Sequence, residues 1–331
     1  MNSRHLRFAA IAIALSLLAT LPFWVGNAYY INIASQILFW AIFALALNVL
    51  VGYAGLVSLG HAGLFGVAGY TAALLLQAGY GHGTAILLAL VAALAAAAAF
   101  AVLALRSTGI GFLMITLALG QILWGIAYRW VSLTNGDNGV VLHGRPAPFG
   151  VSLATPSAFY YTTLVVFVFA ILSMVVFTRS PFGASVCGTR DQPRRMSALG
   201  YHVWLIRFIA FLFSGFWTGV AGLLFIYYNQ FISPQVVALQ TSAEVLLMVI
   251  SGGTATLLGP ITGAVIVVIM KNVVSAYVER WNLVLGVIFV AIITFMPEGL
   301  VPGSMRLWRL GWRALTNRRT NVLKSLPEPP A

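Results

Sequence analysis

The sequence predicts an all-α fold: a polytopic helical membrane protein with about ten transmembrane segments, some of them broken or re-entrant. Three observations predict it. Apolar residues make up 61% of the 331 residues and charged residues only 7%, whereas a soluble domain is about 25% charged. The mean hydropathy is +0.97. Apolar runs also recur at the length of about 20 residues that a membrane-spanning helix needs. This composition argues against a soluble enzyme, a disordered protein and, with Cys187 as the one cysteine, a disulfide scaffold.

Ten apolar runs are the candidate spans. They cover residues 8–25, 31–51, 57–78, 84–105, 110–130, 157–178, 205–228, 242–258, 260–278 and 283–301. The first run follows Arg4 and Arg7 as a signal peptide does. It is long and has no clear small-x-small cleavage site, so we expect it to be retained as a helix. The run 242–258 contains Gly252 and Gly253, so it is predicted either to cross the membrane or to be re-entrant.

Positive charge predicts the orientation. The formal net charge is +12, a value that would also suit a nucleic-acid binder. The cations, however, gather at the chain ends and in one internal loop, as the positive-inside rule describes. The cations on the predicted outer side are Arg129, Arg145 and Arg280, and all others except Lys271, which falls inside a span, lie on the predicted inner side. This bias favours both termini in the cytoplasm and argues against nucleic acid as a partner.

These patterns divide the chain into a membrane domain over residues 1–303 and a basic cytoplasmic tail over 304–331. Two polar loops interrupt the membrane domain, 131–156 outside and 179–204 inside. We expect the tail to be flexible or to lie on the membrane surface, attracted by anionic lipid. The alternative for the tail is an amphipathic docking helix.

Glycines interrupt the apolar stretch 47–63 at several positions. A similar but less regular set of glycines interrupts the stretch 243–263. In hydrocarbon, a broken backbone is tolerated only against protein or beside a water-filled cavity, and paired breaks in the two halves of a transporter point to its substrate path. The predicted path residues are Asn48, Gly52, Tyr53, Gly55, Ser58, Gly60 and His61. The backbone N–H groups of a half-helix starting there could face a carboxylate. The competing interpretation is close helix packing through small residues.

Two charged residues fall inside spans. Glu244 is either a functional acid or an interfacial residue, and Lys271 either reaches the interface, pairs with a neighbour or serves transport. No Walker-type phosphate loop, nucleophile–base–acid grouping or metal-ligand spacing occurs, so neither an enzyme nor a cofactor or metal site is predicted. A pump built on this chain would therefore draw its energy from a partner.

The order and spacing of these motifs resemble the permease subunits of branched-chain amino acid ABC transporters, the LivM type, over residues 30–303. The residues that carry the resemblance are Leu47-Asn48, Gly52-Tyr53-Ala54-Gly55, Ser58-Leu59-Gly60-His61-Ala62, Gly109-Ile110-Gly111-Phe112, Thr116-Leu117, Gly120-Gln121-Ile122, Thr134, Gly136, Asn138-Gly139, Ser180-Pro181-Phe182-Gly183, Ala221-Gly222, Ile232-Ser233-Pro234, Gly252-Gly253, Leu258-Gly259-Pro260, Pro297 and Gly299-Leu300.

The resemblance implies an importer in the bacterial inner membrane with a paralogous permease subunit, two cytoplasmic ABC ATPase subunits and a periplasmic substrate-binding protein. It implies that the inside loop is the family's coupling loop, in which Arg190, Asp191, Leu199 and Gly200 occupy the matching positions. The chain departs from the family at Pro193, which we expect to kink or restart the coupling helix. Without the resemblance, this loop would be interpreted as a cytoplasmic connector with topology-setting arginines.

The sequence therefore predicts a permease subunit that moves small polar solutes, with branched-chain amino acids as the leading expectation. Related permeases serve urea, short amides or other amino acids, and these alternatives remain open. A stand-alone ion-coupled carrier is the alternative from a different class. It is disfavoured because carboxylates inside the spans are scarce.

Overall fold

The computed structural model describes residues 16–142, 153, 155–304 and 306, and it is almost entirely helical, as predicted. The α-helices are α1 (residues 16–24), α2 (Ala28–Asn48), α3 (His61–Gln77), α4 (His82–Ala104), α5 (Ile110–Arg129), α6 (Val131–Thr134), α7 (Pro156–Arg179), α8 (Pro181–Asp191), α9 (Pro193–Ala198), α10 (Val203–Asn229), α11 (Leu239–Gly252), α12 (Leu258–Asn272), α13 (Trp281–Phe295) and α14 (residues 300–304).

Short elements complete the fold. They are a π-helical turn at Val49–Ala54, 3-10 turns at Gly136–Asn138, Pro234–Val237 and Val274–Ala276, and the strands β1 (Val140–Val141) and β2 (Phe231–Ile232). The two strands pair antiparallel, with Val140 opposite Ile232. The predicted outer loop 131–156 contributes α6, a 3-10 turn and β1, and its residues 143–152 and 154 lie outside the described part. Of the predicted tail 304–331, only residues 304 and 306 are described.

Six helical segments in the described part of the chain are long and apolar enough to cross a membrane. They are Ala28–Ala54, His82–Ala104, Ile110–Arg129, Pro156–Arg179, Val203–Asn229 and Leu258–Ala276. The predicted count of about ten spans is therefore not confirmed. The run 8–25 is described only from residue 16 onwards, and the runs at 57–78, 242–258 and 283–301 form shorter helices. At about 1.5 Å per residue, α11 is roughly 21 Å long, less than the roughly 30 Å of a hydrocarbon core.

Small residues bring the central helices close together. Ala85, Ala89, Ala93, Ala97 and Ala101 repeat every fourth position along α4, and all are fully buried. Gly215 and Gly219 of α10 pack directly on Ala97 and Ala93. Without bulky side chains the two backbones approach each other, so dispersion contacts stabilise the pair where lipid offers no hydrophobic driving force.

The bundle has two distinct ends. At one end, which we call the β end, the two strands meet the last residue of α3, where Gln77 Nε2 donates to the Val141 carbonyl at 2.9 Å. At the opposite end, the α8 end, α8 packs against the π turn and the start of α10.

An aromatic stack of Trp40, Phe43 and Phe65 fills the core between α2 and α3, with the Phe43 and Phe65 ring centroids 4.8 Å apart.

Candidate functional site

The predicted break between α2 and α3 is confirmed. After Asn48 the backbone widens into the π turn, and Gly55 follows in the left-handed region with φ +67°. Residues 56–60 are non-helical, and α3 begins at His61. The left-handed backbone at Gly55 is a conformation that glycine adopts without the steric cost paid by other residues.

Asn48 joins this break to the second glycine-interrupted segment. Its side chain is 1% exposed, its Oδ1 accepts from the Ala255 N–H at 3.0 Å and its Nδ2 donates to the Thr256 carbonyl at 2.8 Å. Gly52 lies so close that a Cβ would strike the Ala255 backbone. Both breaks therefore lie at the α8 end. The side-chain amide of Asn48 bonds backbone groups of Ala255 and Thr256 that a continuous helix would otherwise satisfy.

Ser58 and His61 form a hydrogen-bonded chain into α10. His61 Nδ1 lies 2.8 Å from Ser58 Oγ, and His61 Nε2 lies 3.1 Å from Ser214 Oγ. Ser214 donates its only proton to the Ala46 carbonyl, so its oxygen accepts from His61 Nε2–H. A neutral imidazole then accepts the Ser58 proton at Nδ1. All three side chains are fully buried, and a fully buried imidazole without a carboxylate partner is favoured in its neutral form.

Gly60 and the start of α3 are clamped by neighbouring helices. A Cβ at Gly60 would collide with the Thr116 carbonyl on α5, and Leu59 N–H donates to Thr116 Oγ1 at 3.3 Å. Ala62 N–H donates to Ser242 Oγ of α11 at 3.0 Å, and Gly63 N–H donates to the Gly60 carbonyl at 3.0 Å. The expectation that the first N–H groups of α3 face a solute carboxylate is therefore wrong for Ala62 and Gly63, because protein oxygens already occupy them.

Among the predicted path residues, Tyr53 and Gly55 are more accessible than the rest. Tyr53 is half-buried and Gly55 is exposed, whereas Asn48, Gly52, Ser58, Gly60 and His61 are buried. The buried residues hold the broken backbone in shape in this conformation. A cavity of about 400 Å³ lies elsewhere, between α4, α7 and α10, and its walls are almost wholly apolar. None of the predicted path residues lines it.

The helix α8 begins at Pro181, inside the predicted coupling loop. Ser180 caps it by accepting from Gly183 N–H at 3.1 Å, and Pro181 occupies the first helical position. Both residue types favour a helix start at these positions. The expected effect of Pro193 is also confirmed, since α8 ends at Asp191 and α9 begins at Pro193.

Arg190, in the last turn of α8, reaches the broken helix. Its Nη1 donates to the Gly52 carbonyl at 2.6 Å, and its Nε donates to Asp191 Oδ1 at 2.8 Å. The hydrogen bond with Asp191 raises the pKa of the Arg190 guanidinium above its ordinary value, which keeps this group charged. The aliphatic part of Arg190 packs on Gly55, where a Cβ would lie 2.5 Å from Arg190 Cγ.

The other two predicted coupling residues lie at the far end of the same region. Leu199 follows α9 with 65% of its surface exposed, and Gly200 adopts a positive φ of +87° in the turn towards α10. Tyr201 and Trp204 beside them are also exposed. The structure therefore brings Arg190 to the break and leaves Leu199 and Gly200 on the surface.

Several partners were missed by the sequence analysis. Arg207 of α10 donates from Nη2 to the Thr189 carbonyl at 2.6 Å and so fixes the C-terminal turn of α8, a position that favours a cation. Ser214 and Ser242 hold His61 and Ala62. Each of these residues is an isolated arginine or serine within an apolar run. That pattern indicates a buried polar contact, but the sequence alone does not identify the partner.

Lys271 pairs with a neighbour, one of the three roles that the sequence left open. Its Nζ lies 3.6 Å from Glu244 Oε2 across the α11–α12 contact. Among the described residues, no group of three or more His, Cys, Asp or Glu side chains comes together as a metal site would require.

Comparison with known proteins gives a family match over most of the chain. A family described as "Branched-chain amino acid transport system / permease component" matches residues 29–293. Two curated relatives, both named high-affinity branched-chain amino acid transport system permease protein LivM, come from Salmonella typhimurium LT2 and Escherichia coli K12. Each is 30% identical over 307 residues, covering 85% of this chain and 72% of the relative. No solved structure matches the chain significantly.

Proposed function

The chain belongs to the family of permease components of branched-chain amino acid transport systems, and from that premise we propose that it is the membrane-spanning permease of an ABC importer in the bacterial inner membrane. Its proposed partners are a paralogous permease subunit, two cytoplasmic ATPase subunits and a periplasmic binding protein. The proposed solutes are small and polar, with branched-chain amino acids first. Both termini are proposed to lie in the cytoplasm.

The observation that carries this proposal is the contact of Arg190 with Gly52. It ties the last turn of a short surface helix to the carbonyl of a broken membrane helix. A subunit that closes on ATP and moves α8 would therefore displace the break itself. Rigid-body movement of a packed element is an established way for such a change to travel.

A docking surface for the ATPase is proposed next to this contact. The exposed side chains of Leu199, Tyr201 and Trp204 form an apolar edge beside α8 and α9, and Arg194 and Arg195 on α9 add positive charge. An apolar centre with a charged rim is the usual composition of a protein interface. Asp191, whose side chain is 62% exposed, is proposed to contact the ATPase while it orients Arg190.

The substrate path is proposed to run along the break between α2 and α3. The residues are those expected from the sequence: Asn48, Gly52, Tyr53, Gly55, Ser58, Gly60 and His61. We assign them different parts. Tyr53 and Gly55 border the path, whereas the buried residues hold its wall in the resting conformation and exchange partners when the break moves.

The delivery side is proposed to be the β end. The described part of the loop 131–156, with α6 and β1, would receive the loaded binding protein.

The test is purification of the tagged chain from its native membrane in mild detergent, followed by mass spectrometry and reconstitution of the recovered complex. We expect a second permease and ATPase subunits, and uptake of radiolabelled L-leucine that needs ATP and the binding protein. Recovery of the chain alone, under conditions in which a control ABC importer survives intact, together with uptake that collapses with the ion gradient, would favour a stand-alone carrier and overturn the proposal.

A further inference from the structure

Glu244, in the second turn of α11, and Lys271, in the last turn of α12, face each other across the contact of these two helices. Glu244 lies eight residues before the end of α11, hence about 12 Å from the α8 end of that helix at 1.5 Å per residue. The oxygen–nitrogen distance is 3.6 Å, and the side chains are 12% and 48% exposed. Charge-assisted hydrogen bonds of this type are typically about 2.7–2.9 Å long. The pair is therefore loose.

Both charged groups have unused hydrogen-bonding capacity. An ammonium has three donors, yet within the described part of the chain Lys271 Nζ makes no hydrogen bond; its nearest companions are Glu244 and the ring of Trp40, whose centroid lies 6.0 Å away. Glu244 Oε1 accepts from Gln240 at 3.2 Å, while its Oε2 has only the distant Lys271. Two opposite charges thus remain ready for a further partner.

The surroundings point to a wet or protein-covered face rather than lipid. Next to the pair, towards the β end, Asn272 Nδ2 donates to Gln36 Oε1 at 2.9 Å and Gln36 Nε2 donates to Tyr228 Oη at 3.0 Å. Charged side chains at membrane depth are costly in lipid and face the bundle interior, a partner or a water-filled cavity. A half-exposed ammonium within the candidate span Leu258–Ala276 therefore needs water or another molecule beside it.

We propose that Glu244 and Lys271 bind the two charges of a zwitterionic amino acid on its way through the membrane. The inference rests on the proposed transport function and adds the residues that recognise the solute. The solute carboxylate accepts hydrogen bonds from Lys271 Nζ, and the solute ammonium donates to Glu244 Oε2. One loose ion pair is exchanged for two closer ones, and the net charge stays zero. Trp40 forms the apolar floor next to Lys271.

This arrangement also discriminates between the solutes that the sequence left open. Urea and short amides carry no charge, so binding them would break the pair without replacing either interaction. Leaving a charged group in such a site without its partner costs more than a neutral contact returns. The pair therefore favours amino acids over amides.

The alternative is that the two charges only neutralise each other, within the chain or at a contact with a second permease. The variants Glu244→Gln, Lys271→Met and the double variant separate these roles. If neutralisation is the only role, each single variant leaves an unpaired charge and is defective, whereas the double variant recovers. If each residue binds one charge of the solute, the double variant is at least as defective as either single variant.

The experiment measures ATP-dependent uptake of L-leucine by the complete transporter in proteoliposomes at saturating loaded binding protein. We expect uptake to fall about tenfold or more in all three variants, because each loses a hydrogen bond to a charged group worth roughly a factor of ten or more. Assembly and ATPase activity without binding protein should remain. Glu279→Gln, which changes an exposed carboxylate in the connection between α12 and α13, should match the wild type.

The possible results separate the zwitterion site from the transport function. Wild-type rates in the double variant, or recovery of the double variant from defective single variants, would overturn the zwitterion site while the transport function stands. A wild-type complex that does not take up leucine with ATP would overturn leucine transport, and the inference with it. Should the single variants fail to assemble, the double variant decides, because it leaves no unpaired charge.

Discussion

Arg190 and Gly52, which are 138 residues apart in the sequence, are joined by a hydrogen bond of 2.6 Å from the guanidinium to the backbone carbonyl. Four residues before Gly52, Asn48 holds the backbone of Ala255 and Thr256. A movement of α8 therefore reaches both glycine-interrupted segments through a chain of two side chains. This continuity is a physical basis for coupling a surface helix to a membrane break.

The first prediction concerns Arg190. In Arg190→Ala the Gly52 carbonyl loses its charged donor, and such hydrogen bonds contribute about 1.5–3 kcal/mol. We expect ATPase activity stimulated by loaded binding protein to fall at least tenfold while the complex still assembles. Arg106→Ala, which removes an exposed arginine in the connection between α4 and α5, is the matched control. Full stimulation in Arg190→Ala would remove the residue from the coupling route.

The second prediction concerns Asn48. Its replacement by Ala leaves a buried N–H of Ala255 and a carbonyl of Thr256 without partners, each at a cost of about 1–3 kcal/mol. Thermal unfolding in detergent should show a lower midpoint than for the wild type. Asn48→Asp keeps the acceptor for Ala255 but loses the donor to Thr256 and buries a carboxyl group, so it should also be destabilised. An unchanged unfolding midpoint in both variants would contradict the role of Asn48 in holding the backbone of Ala255 and Thr256.

Part of this arrangement followed from the sequence because it is local. The glycines at 52, 55 and 60 predicted a break between two apolar runs, and Pro193 predicted the interruption between α8 and α9. The long-range partners of Asn48, His61 and Arg190 did not follow, because Thr256, Ser214 and Gly52 each lie more than 130 positions away. A serine inside an apolar helix has no pattern that names what it binds.

The span count shows a different limit. Hydropathy remains high where the chain leaves the helix, so the run 57–78 was expected to span although α3 begins only at His61. The backbone of residues 56–60 is satisfied by tertiary contacts, such as the bond from Leu59 N–H to Thr116. An apolar run thus indicates that its residues are buried in lipid or in protein, but it does not indicate where a helix begins or how long it is.

The third prediction concerns the tautomer of His61. The Ser214 hydroxyl donates its hydrogen to the Ala46 carbonyl, so its oxygen can only accept from His61 Nε2. The proton of a neutral His61 therefore lies on Nε2. Nitrogen NMR of the histidine-labelled protein in detergent should show a protonated Nε2 and an unprotonated Nδ1. In Ser214→Ala both His61 and the Ala46 carbonyl lose a buried partner, and the unfolding midpoint should fall, with a loss of about 1–3 kcal/mol. A wild-type signal from Nδ1–H would reverse the assigned donor and acceptor.

The last prediction separates packing glycines from tolerant ones. A Cβ at Gly222 on α10 would collide with the Phe65 carbonyl on α3, whereas a Cβ at Gly125 on α5 meets nothing within 4 Å. Gly222→Ala should therefore force α3 and α10 apart and destabilise the protein by roughly 1–3 kcal/mol, as overpacking does. Gly125→Ala should be neutral or stabilising by up to about 1 kcal/mol, because alanine favours a helix interior. The two variants are compared by thermal unfolding and by yield of monodisperse protein. Equal behaviour would show that the α3–α10 contact yields to a methyl group, and would contradict close backbone packing as the reason for this glycine.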